Sequence, residues 1–347
     1  MSVPIHELET VRDWLRWAVT RFTEAKLAFG HGTDNAWDEA AYLVLHTLSL
    51  PLDRLEPFLD ARVTQAERAR LAEILARRID ARVPAAYLTR EAWLGEFRFT
   101  VDERVIVPRS HIAGLLPDAL APWIPDPEAV ESALDLCTGS GCLAIVLAHA
   151  YPRADVDAAD LSSDALAVAQ RNVADYGLHD RINLIRSDLY SNLVEKSYAL
   201  IISNPPYVTD RAMETLPAEY RHEPPLALAG GEDGLDAVRG IVRDAPRFLD
   251  PGGLLVVEIG HGRAAVESAW PRMPFVWLAA RGADDARSAH GSRRTRWTGD
   301  EGITAPARRT TVRTSGKVRS SIRYALPDVA TARSTEQKTE GETCASR

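Results

Sequence analysis

Leu134-Asp-Leu-Cys-Thr-Gly-Ser-Gly-Cys142 runs from an apolar strand end through a tight glycine turn into the start of a helix. Gly139 and Gly141 let the backbone approach a ligand closely, and the helix start offers free N–H groups. A glycine pair alone also fits a plain tight connection. The third glycine of a dinucleotide fingerprint is missing, since Ala144 and Ile145 fill that region. An uncharged or zwitterionic nucleoside therefore suits this loop better than a pyrophosphate. Around it, strand-like runs at 133–136, 155–159, 182–186, 198–203 and 254–259 alternate with helical stretches at 142–150, 164–176 and 235–248. That alternation predicts an α/β fold with a mostly parallel, doubly wound sheet, and ligands bind such sheets beyond the carboxyl ends of the strands.

Three strand ends carry further candidates. Asp160 lies 21 residues after Gly139, where a carboxylate accepts both hydroxyls of a ribose; the alternative is a helix cap, a role that Ser163 fills at least as well. Asp188 either accepts an exocyclic amine of an adenine, with Leu189 packing on the ring, or is a turn aspartate. Ser203-Asn-Pro-Pro-Tyr207 follows the apolar run 198–202. Asn204 both donates and accepts, while Pro205 and Pro206 lack N–H groups and leave carbonyls free. With Tyr207 as a stacking ring, this is a clamp for a planar nitrogen group. His222 is a general base or a satisfied loop histidine, and Cys137 and Cys142 are small packing residues. No carboxylate pair or His cluster has metal-site spacing, so no metal is expected.

The outer parts of the chain differ in character. Val11, Leu15, Ala18, Val19 and Phe22, then Ala40, Leu43, Val44 and Thr47, recur at helical spacing, and Thr64 before Glu67 starts a further helix. The expected organisation is a helical domain over 1–90, a β-hairpin linker over 91–108 and a catalytic domain over 109–280. The hairpin pairs the Phe97, Phe99, Val101 run with Val105–107 about the turn at 102–104, and Pro108 and the Pro-rich stretch 117–127 bracket one more helix. Three cysteines without pattern, no signal-peptide features and no apolar run of membrane length point to a cytoplasmic protein without a membrane partner. The net charge of -8 is uneven. Residues 281–347 hold 14 Lys/Arg against 8 Asp/Glu, a net of +6, and the other 280 residues carry 27 against 41, a net of -14. An acidic body repels nucleic-acid phosphate, so no direct DNA binding is expected.

These motifs, in this order, resemble those of class I S-adenosylmethionine-dependent methyltransferases, which have a Rossmann-like sheet. The specific resemblance is to the HemK/PrmB family of protein-(glutamine-N5) methyltransferases, and within it to the PrmB branch. Phe99-Thr-Val-Asp-Glu-Arg-Val-Ile-Val-Pro-Arg-Ser110, the glycine loop, and Glu219-Tyr-Arg-His-Glu-Pro224 followed by Gly230-Gly-Glu-Asp-Gly-Leu235 carry it. The resemblance covers roughly 5–278 and implies S-adenosyl-L-methionine as cofactor. It implies cofactor contacts from Asp135, Thr138, Gly139, Ser140 and Gly141, a ribose held by Asp160, and an adenine framed by Asp188 and Leu189. It also implies that Asn204 and the Pro205 carbonyl grip a glutamine amide beside Pro206 and Tyr207. The implied substrate is a glutamine of large-subunit ribosomal protein uL3. Alternatives are a glutamine of peptide chain release factors, DNA adenine, and an inactive assembly factor that binds ribosomal protein through 1–90.

Two departures from the family pattern stand out. His111 and Gly114 replace a Pro and a Glu, which removes a carboxylate near the cofactor site. The antiparallel return strand expected after 274–278 is not evident, and 281–347 is rich in Arg, Thr, Ser and Gly. Such a tail is expected to be disordered. It reads as a frameshift product near residue 280 of a GC-rich gene, leaving an open edge beside 254–259, or as a native basic tail that touches ribosomal RNA.

Overall fold

Near-continuous burial along the inner strands reflects helices packed on both faces of a single large sheet. The computed structural model describes residues 6–116, 120–194, 196–278 and the backbone of 321–325. The chain begins with α1 (Val11–Glu24), α2 (Ala36–Thr47), α3 (Gln65–Asp80) and the short α4 (Ala85–Thr89). Thr10 with Asp13 and Thr64 with Glu67 form capping boxes that satisfy the first free N–H groups of α1 and α3. The helical stripes face inward: Trp14, Leu15, Phe22, Leu43, Leu71 and Leu75 form one buried cluster. Each such side chain contributes about 1.5–3 kcal/mol by leaving water.

A hairpin follows, but its strands are β1 (Glu91–Leu94) and β2 (Phe97–Thr100), paired Glu91 to Thr100 and Leu94 to Phe97. The expected partner at 105–107 is not a strand. Gly95 at φ 63 makes the turn, so the hairpin closes one element earlier than the alternation suggests. The helix expected after Pro108 is a single 3-10 turn, Ile112–Leu115.

The sheet is built from β3 (Ser132–Leu136), α5 (Cys142–Ala150), β4 (Asp155–Asp160), α6 (Ser163–Asp175), β5 (Ile182–Arg186), β6 (Tyr198–Ser203), α7 (Asp210–Thr215), α8 (Asp236–Asp244), β7 (Leu249–Glu258), α9 (Arg263–Ala269), β8 (Val276–Leu278) and β9 (Ser321–Ala325). Its order is β5-β4-β3-β6-β7-β9-β8, parallel from β5 to β7 and antiparallel on both sides of β9. Leu200, Ile202 and Val256 pack with α5 on one face, while Ile201, Leu255 and Val257 pack with Val238 and Ile241 of α8 on the other. The chain winds outward from β3 to β5 and then returns to β6 on the other side of β3, which makes the β3–β6 boundary a topological switch point.

The open edge expected beside 254–259 is corrected here. Residues Ser321–Ala325 pair antiparallel with Leu254–Glu258 of β7 and with Val276–Leu278 of β8, filling the return-strand position. Ser-Ile-Arg-Tyr-Ala has the period-2 alternation of a strand, hidden by the polar sequence around it. The frameshift reading loses the missing strand as its support. The remaining calls on 281–347, disorder and ribosomal RNA contact, fall on 281–320 and 326–347, outside the described residues.

Candidate active site

Beyond the carboxyl ends of β3, β4, β5 and β6 lies a cavity of about 320 Å³. Cys137 and Gly139 of the loop after β3, Asp160, Asp188, Leu189, Asn204 and Pro206 all line it. The sequence thus placed four strand ends on one cavity. Within the loop, Cys137, Gly139 and Gly141 have φ of 59, 56 and 77. A Cβ on Gly141 would come within 3.1 Å of the Ala169 Cβ, so glycine there lets α5 start hard against α6.

The other loop residues sit behind this surface and do not line the cavity. Thr138, Ser140 and Asp135 are buried. The Thr138 hydroxyl donates to Asp135 Oδ2 at 2.6 Å, leaving Asp135 Oδ1 without a partner among the described residues. Burial pushes the Asp135 carboxyl up to about 7, against the lowering effect of the Thr138 bond.

Asp160 does two things at once. Its Oδ2 accepts from the Gly139 N–H at 2.8 Å, and its Oδ1 from the Ser162 N–H at 2.9 Å. Each oxygen keeps a lone pair, and burial raises its pKa above the ordinary carboxylate value despite these bonds. The cap of α6 is Ser162, whose hydroxyl accepts from Ala165 N, and not Ser163. Asp188 is exposed at the cavity rim. Leu189, at φ 48, fits because Gly240 carries no Cβ, which would lie 2.5 Å from its Cδ1.

Asn204 stands at a junction. It lines the first cavity and also a second one of about 220 Å³, whose wall includes Pro205, Tyr207, Arg109, Tyr220 and His261. Its Oδ1 is buried with no hydrogen-bond partner among the described residues. A buried amide oxygen in this state suits a hydrogen-bond donor on a ligand. Ser203 Oγ donates to Leu136 O at 2.8 Å and locks the clamp onto β3. Behind it, a Cβ on Gly234 would lie 2.6 Å from the Tyr207 carbonyl oxygen. Only glycine lets that turn pack against the clamp backbone.

Several wall residues were not legible as site residues. Ile106 and Ala227 border both cavities, and Leu226 is 57% exposed over the first. Arg109 makes two bonds to Glu223, one of them Nη2 to Oε2 at 2.7 Å, and its guanidinium lies 5.5 Å from the Tyr220 ring centroid. Burial pushes Glu223 up, and Arg109 and nearby His31 more than reverse this, leaving it at about 2. The signal was a Pro-Arg-Ser turn and a Glu-Pro-Pro turn, which share no local pattern. His222 bonds through its ring to the Ala81 carbonyl at 2.9 Å and lines neither cavity. Burial raises both thiols, Cys142 to about 12, so neither is a thiolate at neutral pH.

Comparison with known proteins bears on this arrangement. Residues 118–219 match the Methyltransferase small domain family, and residues 13–89 match the PrmC N-terminal domain family. The chain is 60% identical over 278 residues to the ribosomal protein uL3 glutamine methyltransferase of Neisseria meningitidis serogroup A, covering 80% of this chain and 91% of that one. The protein of the same name from Bordetella pertussis is 59% identical over 272 residues, covering 78% and 91%. That from Bradyrhizobium diazoefficiens is 51% identical over 278 residues, covering 78% and 87%. At such identity over most of each relative, the chain belongs to the family of ribosomal protein uL3 glutamine methyltransferases.

Proposed function

We propose that the chain methylates N5 of a glutamine side chain in ribosomal protein uL3, using S-adenosyl-L-methionine. The observation that carries this reading is the open Oδ1 of Asn204 at the junction of two cavities. The likeness to the uL3 enzymes supports the choice of substrate. An acidic body also suits a basic, RNA-binding protein better than nucleic-acid phosphate. A ribosomal-protein substrate supports a cytoplasmic location for the enzyme.

The first cavity fits the cofactor. Asp160 retains lone pairs for two ribose hydroxyls, Asp188 for an adenine amine, and Leu161, Leu189 and Leu226 give apolar cover. The Cys137–Gly139 backbone would border the methionine part, with Asp135, Thr138 and Ser140 fixing the loop from behind. When bound there, the cofactor supplies an electrophilic methyl group.

The chain's own residues prepare the nucleophile. An amide nitrogen is weakly nucleophilic because its lone pair is delocalised into the carbonyl. Asn204 Oδ1 and the Pro205 carbonyl accept the two N–H groups of the glutamine amide, and no proline N–H competes. Tyr207 packs against the amide plane. Gripping both hydrogens turns the face of the nitrogen toward the first cavity, and such positioning supplies about 7–11 kcal/mol of the barrier. Acceptors that gather on the nitrogen also stabilise the positive charge it gains. The nitrogen then sheds a proton to solvent or to one of these acceptors.

Labelled methyl transfer tests the assignment. The purified chain, incubated with labelled cofactor and extract from an unmethylated strain, should label uL3 on one glutamine, as located by peptide mass spectrometry. Label in release factors and not in uL3 overturns the substrate assignment.

A further inference from the structure

Glu258 ends β7 with a side chain that is 1% exposed. Ser203 of β6 pairs with Val257, so Glu258 lies one residue beyond the pair, as Asn204 does on the neighbouring strand. Both carboxylate oxygens are engaged. Oε2 accepts from the Ser110 hydroxyl at 2.7 Å and from the His111 N–H at 2.9 Å, and Oε1 accepts from the Tyr207 hydroxyl at 3.3 Å. Glu258 therefore joins three pieces of the second cavity's wall: Tyr207, the turn that bears Arg109, and Gly260 and His261 just beyond its own strand. A Cβ on Gly260 would lie 2.7 Å from the Tyr207 ring, so only glycine lets this turn lie against the ring whose hydroxyl bonds the carboxylate.

Every one of those donors is neutral. Among the described residues Glu258 makes no ion pair, unlike Glu219 and Glu223. A buried carboxylate without a cation is costly to keep for structure alone, because neutral apolar packing would serve as well. Its placement behind a clamp whose substrate nitrogen gains positive charge supplies a reason, since the attraction between opposite charges grows in a poorly screened interior.

We propose that Glu258 is a positioning residue for methyl transfer: it fixes Tyr207 and the Ser110–His111 turn around the glutamine amide and lends the clamp a negative charge. The inference rests on the proposed glutamine methylation.

The test uses the full chain and three variants: Glu258→Gln, Tyr207→Phe and the double variant. Glu258→Gln keeps the size of the side chain and one carbonyl acceptor while removing the charge. Its kcat on uL3 should fall about ten-fold or more, with cofactor affinity by calorimetry changed by less than about three-fold. Tyr207→Phe should lower kcat as well, and the double variant should be no worse than the weaker of the two, since both cut one connection. Independently of turnover, the 13Cζ resonance of Tyr207, assigned through the Tyr207→Phe spectrum, should move in Glu258→Gln. An unmoved resonance overturns the proposal, as does a loss that falls wholly on cofactor affinity, or singles whose effects add. Should Glu258→Gln not fold, Tyr207→Phe carries the kinetic test: kcat unchanged by loss of the hydroxyl overturns the proposal. A native chain that leaves uL3 unlabelled defeats the substrate assignment, while the resonance still decides whether Glu258 holds Tyr207.

Discussion

Asn204 carries its open oxygen between two cavities, so replacing it should separate binding from transfer. Asn204→Ala should hold the cofactor within about three-fold of the native affinity yet lose about 100- to 1,000-fold in kcat, the loss typical of one preorganised polar group. Turnover near the native rate would remove Asn204 from its role. Asp135 gives a residue-scale prediction about pH. Burial lifts its folded-state pKa to about 7, above its unfolded value, so the fold favours the protonated form. Stability from this source is whole at acid pH and is lost as pH rises from about 4 through 7, at up to about 1.4 kcal/mol per unit. Asp135→Asn keeps an acceptor for the Thr138 hydroxyl and cannot ionise. Its stability relative to the native chain should therefore climb across that window and level off above it, as urea melts at stepped pH would show. A flat difference would mean that Asp135 does not titrate in this range. At this scale the sequence was most legible where chemistry is local: Thr64 caps α3 through Glu67 as the spacing predicted. It was least legible where roles divide by a few ångströms, as between Gly139 on the cavity and Thr138 behind it.

The segment from Pro217 to Ala227 shows why part of the site could not be read from pattern. It has no periodicity beyond two short 3-10 turns, yet Tyr220, Leu226 and Ala227 wall the cavities. Partners distant in sequence hold it. Arg78 of α3, itself buried, reaches Glu39 of α2 at 2.6 Å, Glu219 at 3.2 Å and the Ala28 carbonyl at 2.9 Å. Glu223 takes Arg109 and the Val107 N–H at 3.0 Å. The strands and helices of the sheet were legible because burial imposes a period; this segment is set by ion pairs across up to 141 positions, which impose none. Arg78→Met should leave Glu39 as an uncompensated buried charge and Glu219 with only the partly exposed Arg82 at 3.4 Å, and cost about 3–5 kcal/mol in denaturant melts. Burial raises Glu219, and its bonds, including that from Arg78, more than offset this and hold its pKa below the usual value. That stability is present above the unfolded carboxylate pKa and lost as pH falls through the folded one. The native advantage over Arg78→Met should therefore be full at neutral pH and shrink below about pH 4. A deficit that stays constant with pH would point to lost packing alone.

Across the whole molecule, the clamp depends on a sheet whose far side is closed by a strand from deep in a polar sequence. β6 carries Asn204 at its end, β7 supports β6 and carries Glu258, and β9 lies against β7 from Leu254 to Glu258. Among the described residues β8 pairs with β9 alone, so β9 holds two elements at once. Its five residues are not legible as a strand because a short alternation counts for little inside an Arg- and Thr-rich stretch, and pairing with β7 and β8 decides its conformation. A chain ended at Leu278 should keep α1–α4 and the β5-to-β7 strands while leaving the edge of β7 bare. Hydrogen exchange followed by mass spectrometry should then show amides of 254–258 and 276–278 exchanging faster than in the full chain, with those of 133–136 little changed. Because Glu258 lies on the uncovered strand, methyl transfer should weaken along with that protection, more in kcat than in cofactor affinity. Equal protection of 254–258 in both chains would mean that Ser321–Ala325 does not cover β7 in solution, and that the clamp is held rigid by the parallel strands alone.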